Sequence, residues 1–150
     1  MENGEQLDPM HVGACHRLLL IEARDTDVVA LHRAMHDRRL PIELQRAHNG
    51  MEALAMLHLQ LECGRTDELL IVLSLDLPEE DAVNFLVELR RDEQLAESAV
   101  VGCTAKLPPN GEDIASKYGL VTCLHPSAEG EGNATPLLIE FIESYLHLRV

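Results

Sequence analysis

Short apolar runs alternate along this chain with longer stretches in which apolar residues recur every three or four positions. Runs of the first kind predict buried strands, and stretches of the second kind predict amphipathic helices. The strongest run is Leu69 to Leu73, read as a strand buried on both faces. It ends in Ser74-Leu75-Asp76-Leu77-Pro78, and proline cannot extend a central strand. Further strands are expected at Leu18 to Ile21, Ile42 to Ala47, Ala99 to Cys103 and Val121 to Leu124. A first helix is expected from about Thr26, capped by Asp25 or Thr26, with Val28, Leu31 and Met35 inside and Pro41 as its stop. His48-Asn49-Gly50 reads as a turn, followed by a helix with Leu54, Leu57 and Leu61 on its inner stripe. The helix after Pro78 should bury Val83, Leu86 and Leu89. A short helix over 112–118 follows the break at Pro108-Pro109-Asn110-Gly111. Thr135, with Pro136 at the first helical position, opens a last helix that runs close to Val150 with Leu138, Ile142 and Tyr145 inside.

Five strand–helix alternations imply parallel βαβ units with right-handed crossovers, hence a three-layer α/β sheet. In such sheets ligands gather at the carboxyl ends of the strands. Ser74 and Asp76 therefore stand where a site is expected.

At 150 residues the chain fits one domain, expected over 17–150 behind a flexible tail at 1–16 that lacks apolar periodicity. Two Phe, two Tyr and no Trp leave the core to aliphatic side chains. A formal charge of −14 argues against nucleic-acid partners and against anionic membranes. No apolar run approaches the ~20 residues of a membrane span. The acidic start MENGEQLDPM is unlike a signal peptide, so a cytoplasmic location is expected. Cys15, Cys63, Cys103 and Cys123 show no zinc spacing and read as reduced thiols.

The segment LLIVLSLDLP looks like the third strand of response-regulator receiver domains. It is most similar to a single-domain subclass that carries D-L-N-L-P and works with phytochrome-type kinases. AHNGMEAL resembles the family's A-x-D-G-x-E-A-L at the corresponding place. The resemblance spans residues 17 to 150. It implies a flavodoxin-like (CheY-like) sheet of five strands in order 2-1-3-4-5, with about five helices, and a role in bacterial two-component signalling.

Receivers move a phosphoryl group from phosphohistidine to a carboxylate with the help of Mg²⁺ held by acidic ligands. By the resemblance, the acidic pair after the first strand corresponds to Glu22 and Ala23, and the acceptor Asp to Ser74. The hydroxyl after the fourth strand is retained as Thr104. The Lys after the fifth strand becomes His125, followed by the expected Pro126. The aromatic switch aligns with Thr122. Most of the reactive set is thus replaced, and a degenerate, or pseudo-, receiver is expected.

Plain structural roles compete at each position. Ser74 can satisfy a backbone group at a strand end, and Asp76 can cap the next turn. His32 and His36 have the i, i+4 spacing of helical metal ligands, though a solvated helix face is the simpler reading. Cys103 and Cys123 fall on neighbouring strands, with core packing as the default. Glu79-Glu80-Asp81 suits the first turn of a helix.

The expected function is therefore non-enzymatic: phosphorylation-independent docking onto another protein. The alternatives are a receiver still phosphorylated by a histidine kinase at Asp76 or Ser74, and a redox or metal sensor on the same scaffold. No cofactor is expected. Mg²⁺ should bind weakly, with Glu22 and Asp76 the weak candidate ligands. The expected partner is a signalling protein: a sensor histidine kinase, another receiver or a second copy of the chain. In the family, docking uses the face made by the fourth helix, fifth strand and last helix. Glu140, Glu143, Ser144 and His147 are expected to be exposed there, beside Glu129 and Glu131 in the adjoining loop.

Overall fold

The computed structural model describes residues 16–65, 67–104, 116–124 and 135–145. Its elements are β1 (His16–Ile21), α1 (Asp25–Asp37), β2 (Ile42–Ala47), α2 (Gly50–Glu62), β3 (Glu68–Ser74), α3 (Glu79–Arg91) and β4 (Ala99–Cys103). The end of a further helix, α4 (described over 116–118), then precedes β5 (Thr122–Leu124) and α5 (Thr135–Tyr145). All strand pairs are parallel, and the sheet order is β2-β1-β3-β4-β5. This is the 2-1-3-4-5 order that the resemblance implies.

Strand side chains alternate between the two faces of the sheet. Leu18, Leu20, Leu70, Val72 and Val101 pack under α1 and α5, against Leu31, Met35, Leu138, Ile139 and Ile142. Leu19, Ile21, Ile71, Leu73 and Val100 pack under α2 and α3, against Leu57, Phe85, Leu86 and Leu89. The central strand β3 is buried from Leu70 through Ser74, as its unbroken apolar run requires.

Several local expectations are corrected. β1 begins at His16 rather than Leu18, and takes in Arg17, which is only 6% exposed. Arg17 is tolerated there because its guanidinium reaches the Gln60 side chain, the Asp67 carbonyl at 2.8 Å and the Asp67 carboxylate at 3.0 Å. The N-cap of α1 is Arg24, with no side-chain cap, in place of Asp25 or Thr26. Asp25 and Asp27 lie instead in the first turn, where negative charge is favoured. Helix α1 stops well before Pro41: Arg39 takes φ 54°, and the Leu40 N–H closes the end on the Met35 carbonyl at 3.1 Å. On α3, Ala82 and Phe85 are buried with Leu86 and Leu89, whereas Val83 is only half-buried. Leu54 and Leu61 of α2 are likewise half-buried, and Tyr145 is half-buried and stacked on Phe141. Most of the tail expected at 1–16 lies outside the described residues.

Polar groups lock the periphery. Asn49 caps α2 by accepting from the Glu52 N–H at 2.8 Å. The Asp81 carboxylate of α3 accepts from the Gly50 N–H at 3.2 Å, so the acidic start of α3 also ties α2. Arg90, near the end of α3, donates to four backbone carbonyls: Tyr118 at 3.0 Å, Ala96 at 2.9 Å, Ser98 at 2.8 Å and Gly119 at 3.1 Å. Among the described residues no helix is long and apolar enough to cross a membrane.

Candidate functional site

The carboxyl ends of β1, β3 and β4 converge on one pocket, roofed by α1 and α5. Glu22 follows β1, Ser74 ends β3, Asp76 stands two residues further, and Cys103 and Thr104 close β4. Asp27 and Leu31 of α1 and Thr135 and Leu138 of α5 complete the lining. This placement follows from the sheet: parallel strands in register deliver their ends to the same edge, with Ile21 opposite Leu73 and Ser74 opposite Cys103.

The polar groups engage one another. The Thr104 hydroxyl donates to Asp76 Oδ1 at 2.7 Å. The Asp76 N–H donates to Ser74 Oγ at 3.3 Å, an ST-turn contact that fits the plain structural reading of Ser74. Glu22 Oε2 accepts from the Arg24 N–H at 3.0 Å. The backbone itself is tied across the strand ends, Leu75 N–H to the Cys103 carbonyl at 2.7 Å and Thr104 N–H to the Leu124 carbonyl at 3.0 Å. Ser74 and Thr104 are 2% and 4% exposed, whereas Asp76 is exposed. Burial, with Cys123 and the Glu22, Asp76 and Asp27 carboxylates adding to it, pushes the Cys103 thiol up to about 12.

The structure thus brings together Glu22, Ser74, Asp76 and Thr104, with Ala23 exposed beside them. His125 lies outside the described residues. Thr122, on β5, pairs with Val101 of β4 and is half-buried. Sequence reasoning missed Asp27, which adds a third carboxylate to the lining. Its only signal was membership of the acidic first turn of α1, and the position of that turn depended on where the helix starts.

Mg²⁺ is the group the fold family implies. Glu22 and Asp76 already accept protein hydrogen bonds, and Ala23 contributes no ligand atom. Among the described residues no group of three or more His, Cys, Asp or Glu is placed to hold a metal ion, the His32/His36 pair included. Of the acidic pair expected after β1, Glu22 alone carries a carboxylate. Cys103 and Cys123 are not joined in a disulfide. Cys103 registers with Leu124, both packing toward α1 and α5, so Cys123 points to the opposite face of the sheet.

The expected docking face changes in one respect. Glu140 and Ser144 are exposed on α5, but Glu143 is not: its side chain is 17% exposed and accepts from Arg38 of α1 at 2.6 Å. On a helix three residues turn the side chain by about 60°, which carries Glu143 from the outer face to the α1 side. His147, Glu129 and Glu131 lie outside the described residues.

No family model and no curated protein matches the chain. Solved structures do. The phosphorylated cyanobacterial phytochrome response regulator RcpA superposes with a TM-score of 0.68 at 22% identity, covering 89% of this chain and 94% of that one. The Mn²⁺-bound form of response regulator Rcp1 gives 0.71 at 20% identity, covering 90% and 97%. A two-component response regulator from Legionella pneumophila gives 0.64 at 24% identity, covering 86% and 98%. The chain therefore has the fold of response-regulator receiver domains.

Proposed function

We propose that this protein is a single-domain pseudo-receiver in two-component-type signalling. It docks onto a signalling protein without a phosphorylation cycle and has no enzymatic activity of its own. One observation carries this reading: Ser74, buried at the end of β3, stands where the fold's acceptor carboxylate is expected, and its Oγ is bonded to the Asp76 N–H. A serine hydroxyl without a general base is a poor nucleophile and offers no formal charge to a metal. The Thr104 hydroxyl, which the resemblance assigns to an incoming phosphoryl group, is engaged with Asp76.

The partner is a sensor histidine kinase, another receiver or a second copy. Docking uses the face of α4, β5 and α5, where Glu140 and Ser144 are exposed. With no phosphoryl group to favour a second conformation, that face stays in one state.

A second reading has its own support. Asp76 is exposed at the same strand end, next to Thr104, with Glu22 and Asp27 lining the same pocket. It could accept a phosphoryl group in place of Ser74.

Treatment with acetyl phosphate and Mg²⁺, followed by mass spectrometry, separates the two. The docking reading expects no phosphoryl adduct, and a stable adduct mapped to Asp76 would replace it with the second. Partner capture completes the test. Ser74→Ala should leave capture intact, whereas Glu140→Lys with Ser144→Lys should abolish it.

A further inference from the structure

At the opposite end of the sheet from β5, strand β2 forms the edge and, among the described residues, pairs with β1 alone. Above that edge a groove opens between α1 and β2. Its floor is apolar, made by Met35, Leu40, Ile42 and Leu44. Its wall carries His32, His36 and Arg39, all exposed. The chain has 26 Asp and Glu and a net charge of −14, yet among the described residues no Asp or Glu lines this groove. Glu43, between Ile42 and Leu44, alternates to the other face and is held there by Arg65 at 2.9 Å. Asp37, on the same helix end, is exposed but not among the lining residues. Arg38 is committed to Glu143, whereas Arg39 makes no side-chain ion pair among the described residues.

We propose that this groove and the β2 edge dock an extended acidic segment of a partner protein, added alongside β2 as a sixth strand. The backbone of the segment pairs with the open edge of β2. Only every second side chain of the segment faces the groove. Of these, apolar ones enter the floor at Leu40, Ile42 and Leu44, and acidic ones meet Arg39, with His32 and His36 as hydrogen-bond donors. Charge complementarity selects this occupant: on a strongly acidic protein, an apolar groove whose described polar wall is Arg39, His32 and His36 favours an anionic partner. The inference does not depend on how the pocket at the carboxyl ends is read.

The probe is a blocked eight-residue peptide in which Val and Glu take turns at every second position and Thr fills the others, with Lys in place of Glu in the control, titrated against the full chain by fluorescence anisotropy. Saturable binding of the acidic peptide and none of the basic one is expected. Arg39→Gly removes the cation at a position whose φ of 54° suits glycine, so the fold is retained, and binding should fall about tenfold. Leu44→Glu puts a carboxylate on the half-buried floor and should abolish binding, with circular dichroism reporting that the domain remains folded. Equal binding of the two peptides, or acidic binding unchanged in both variants, overturns the proposal. Two other outcomes also overturn it by naming a different occupant. One is tighter binding of a peptide of residues 1–15 than of the probe. The other is a concentration-dependent dimer that Leu44→Glu dissociates.

Discussion

The Thr104 hydroxyl and Asp76 Oδ1 lie 2.7 Å apart, joining the end of β4 to the loop after β3. A hydroxyl aimed at a carboxylate of its own chain is satisfied without a ligand. With Ser74 bonded to the backbone one step away, the pocket forms a connected polar set. Such sets respond as a unit, so replacing one member does not rebuild a reactive site.

Ser74→Asp alone is accordingly expected to leave the protein unphosphorylated by acetyl phosphate. Adding Ala23→Asp and His125→Lys supplies a second metal ligand and the missing cation, and phosphorylation should appear only in the triple variant. The wild type should bind Mg²⁺ more weakly than about 1 mM by calorimetry, because the ion gives up water reluctantly and Ala23 and Ser74 offer it no carboxylate. Full phosphorylation of the single variant would show that Ala23 is not the deficiency.

Gly50 is expected to resist substitution. A Cβ there would lie 2.7 Å from the Cβ of Phe85, where α2 meets α3. Gly50→Ala should cost about 1 to 3 kcal/mol in urea denaturation, against alanine's better helix propensity. Since the clash is with Cβ, trimming Phe85 to Ala should give no rescue. Recovery in the double variant would place the conflict further out on the ring.

The sheet was legible because its pattern is local: five apolar runs mark five strands, and the order followed from the resemblance. Ser74, Asp76 and Thr104 were found because strand ends in a parallel sheet share one edge. Asp27 was not, since its approach depends on α1 starting after Arg24, and no capping side chain marks that start. Glu143 was misjudged for a similar reason. Facing outward or toward α1 differs by part of a helical turn, and the partner that decides it, Arg38, is 105 residues away. Val83 shares the helical spacing of Leu86 and Leu89, but it is Phe85 that α3 buries, where α2 comes close at Gly50.

Acid should weaken the far end of the sheet first. The Arg65 hydrogen bond holds the Glu43 carboxyl below its ordinary range. At Asp67 burial pushes upward, but the Arg65 hydrogen bond and the Arg17 charge overcome it and the carboxyl is lowered. A carboxyl lowered on folding stabilises above its unfolded pKa and loses that contribution as pH falls through its folded value. Arg65→Gln should therefore be less stable than wild type at pH 7, by about 1 kcal/mol or less for each of these surface pairs. The gap should close as the pH drops below about 4. A gap independent of pH in urea midpoints would assign the role of Arg65 to packing.

Thiol chemistry gives a further check on the pocket. Cys63 is exposed, while Cys103 is half-buried with its thiol pushed up to about 12. At pH 8 only about one Cys103 in 10⁴ is thiolate, so iodoacetamide should label Cys63 well ahead of it. Mild oxidation should yield no Cys103–Cys123 disulfide, as peptide mapping would record. Appearance of that disulfide would require β5 to shift by one residue against β4.

Such a slip is what Arg90 opposes. Among the described residues strand β5 spans three positions, Thr122–Leu124, and has β4 as its one neighbour in the sheet. A strand that short has little pairing to hold its phase, and a one-residue error would turn its inner side chains outward. Arg90 grips the carbonyls of Ala96 and Ser98 just before β4 and those of Tyr118 and Gly119 just before β5. The planar fork measures one lead-in segment against the other, as a jig sets two parts before they are joined. The alignment of the outermost strand is thus dictated from a helix on the opposite layer, by a side chain that belongs to neither strand.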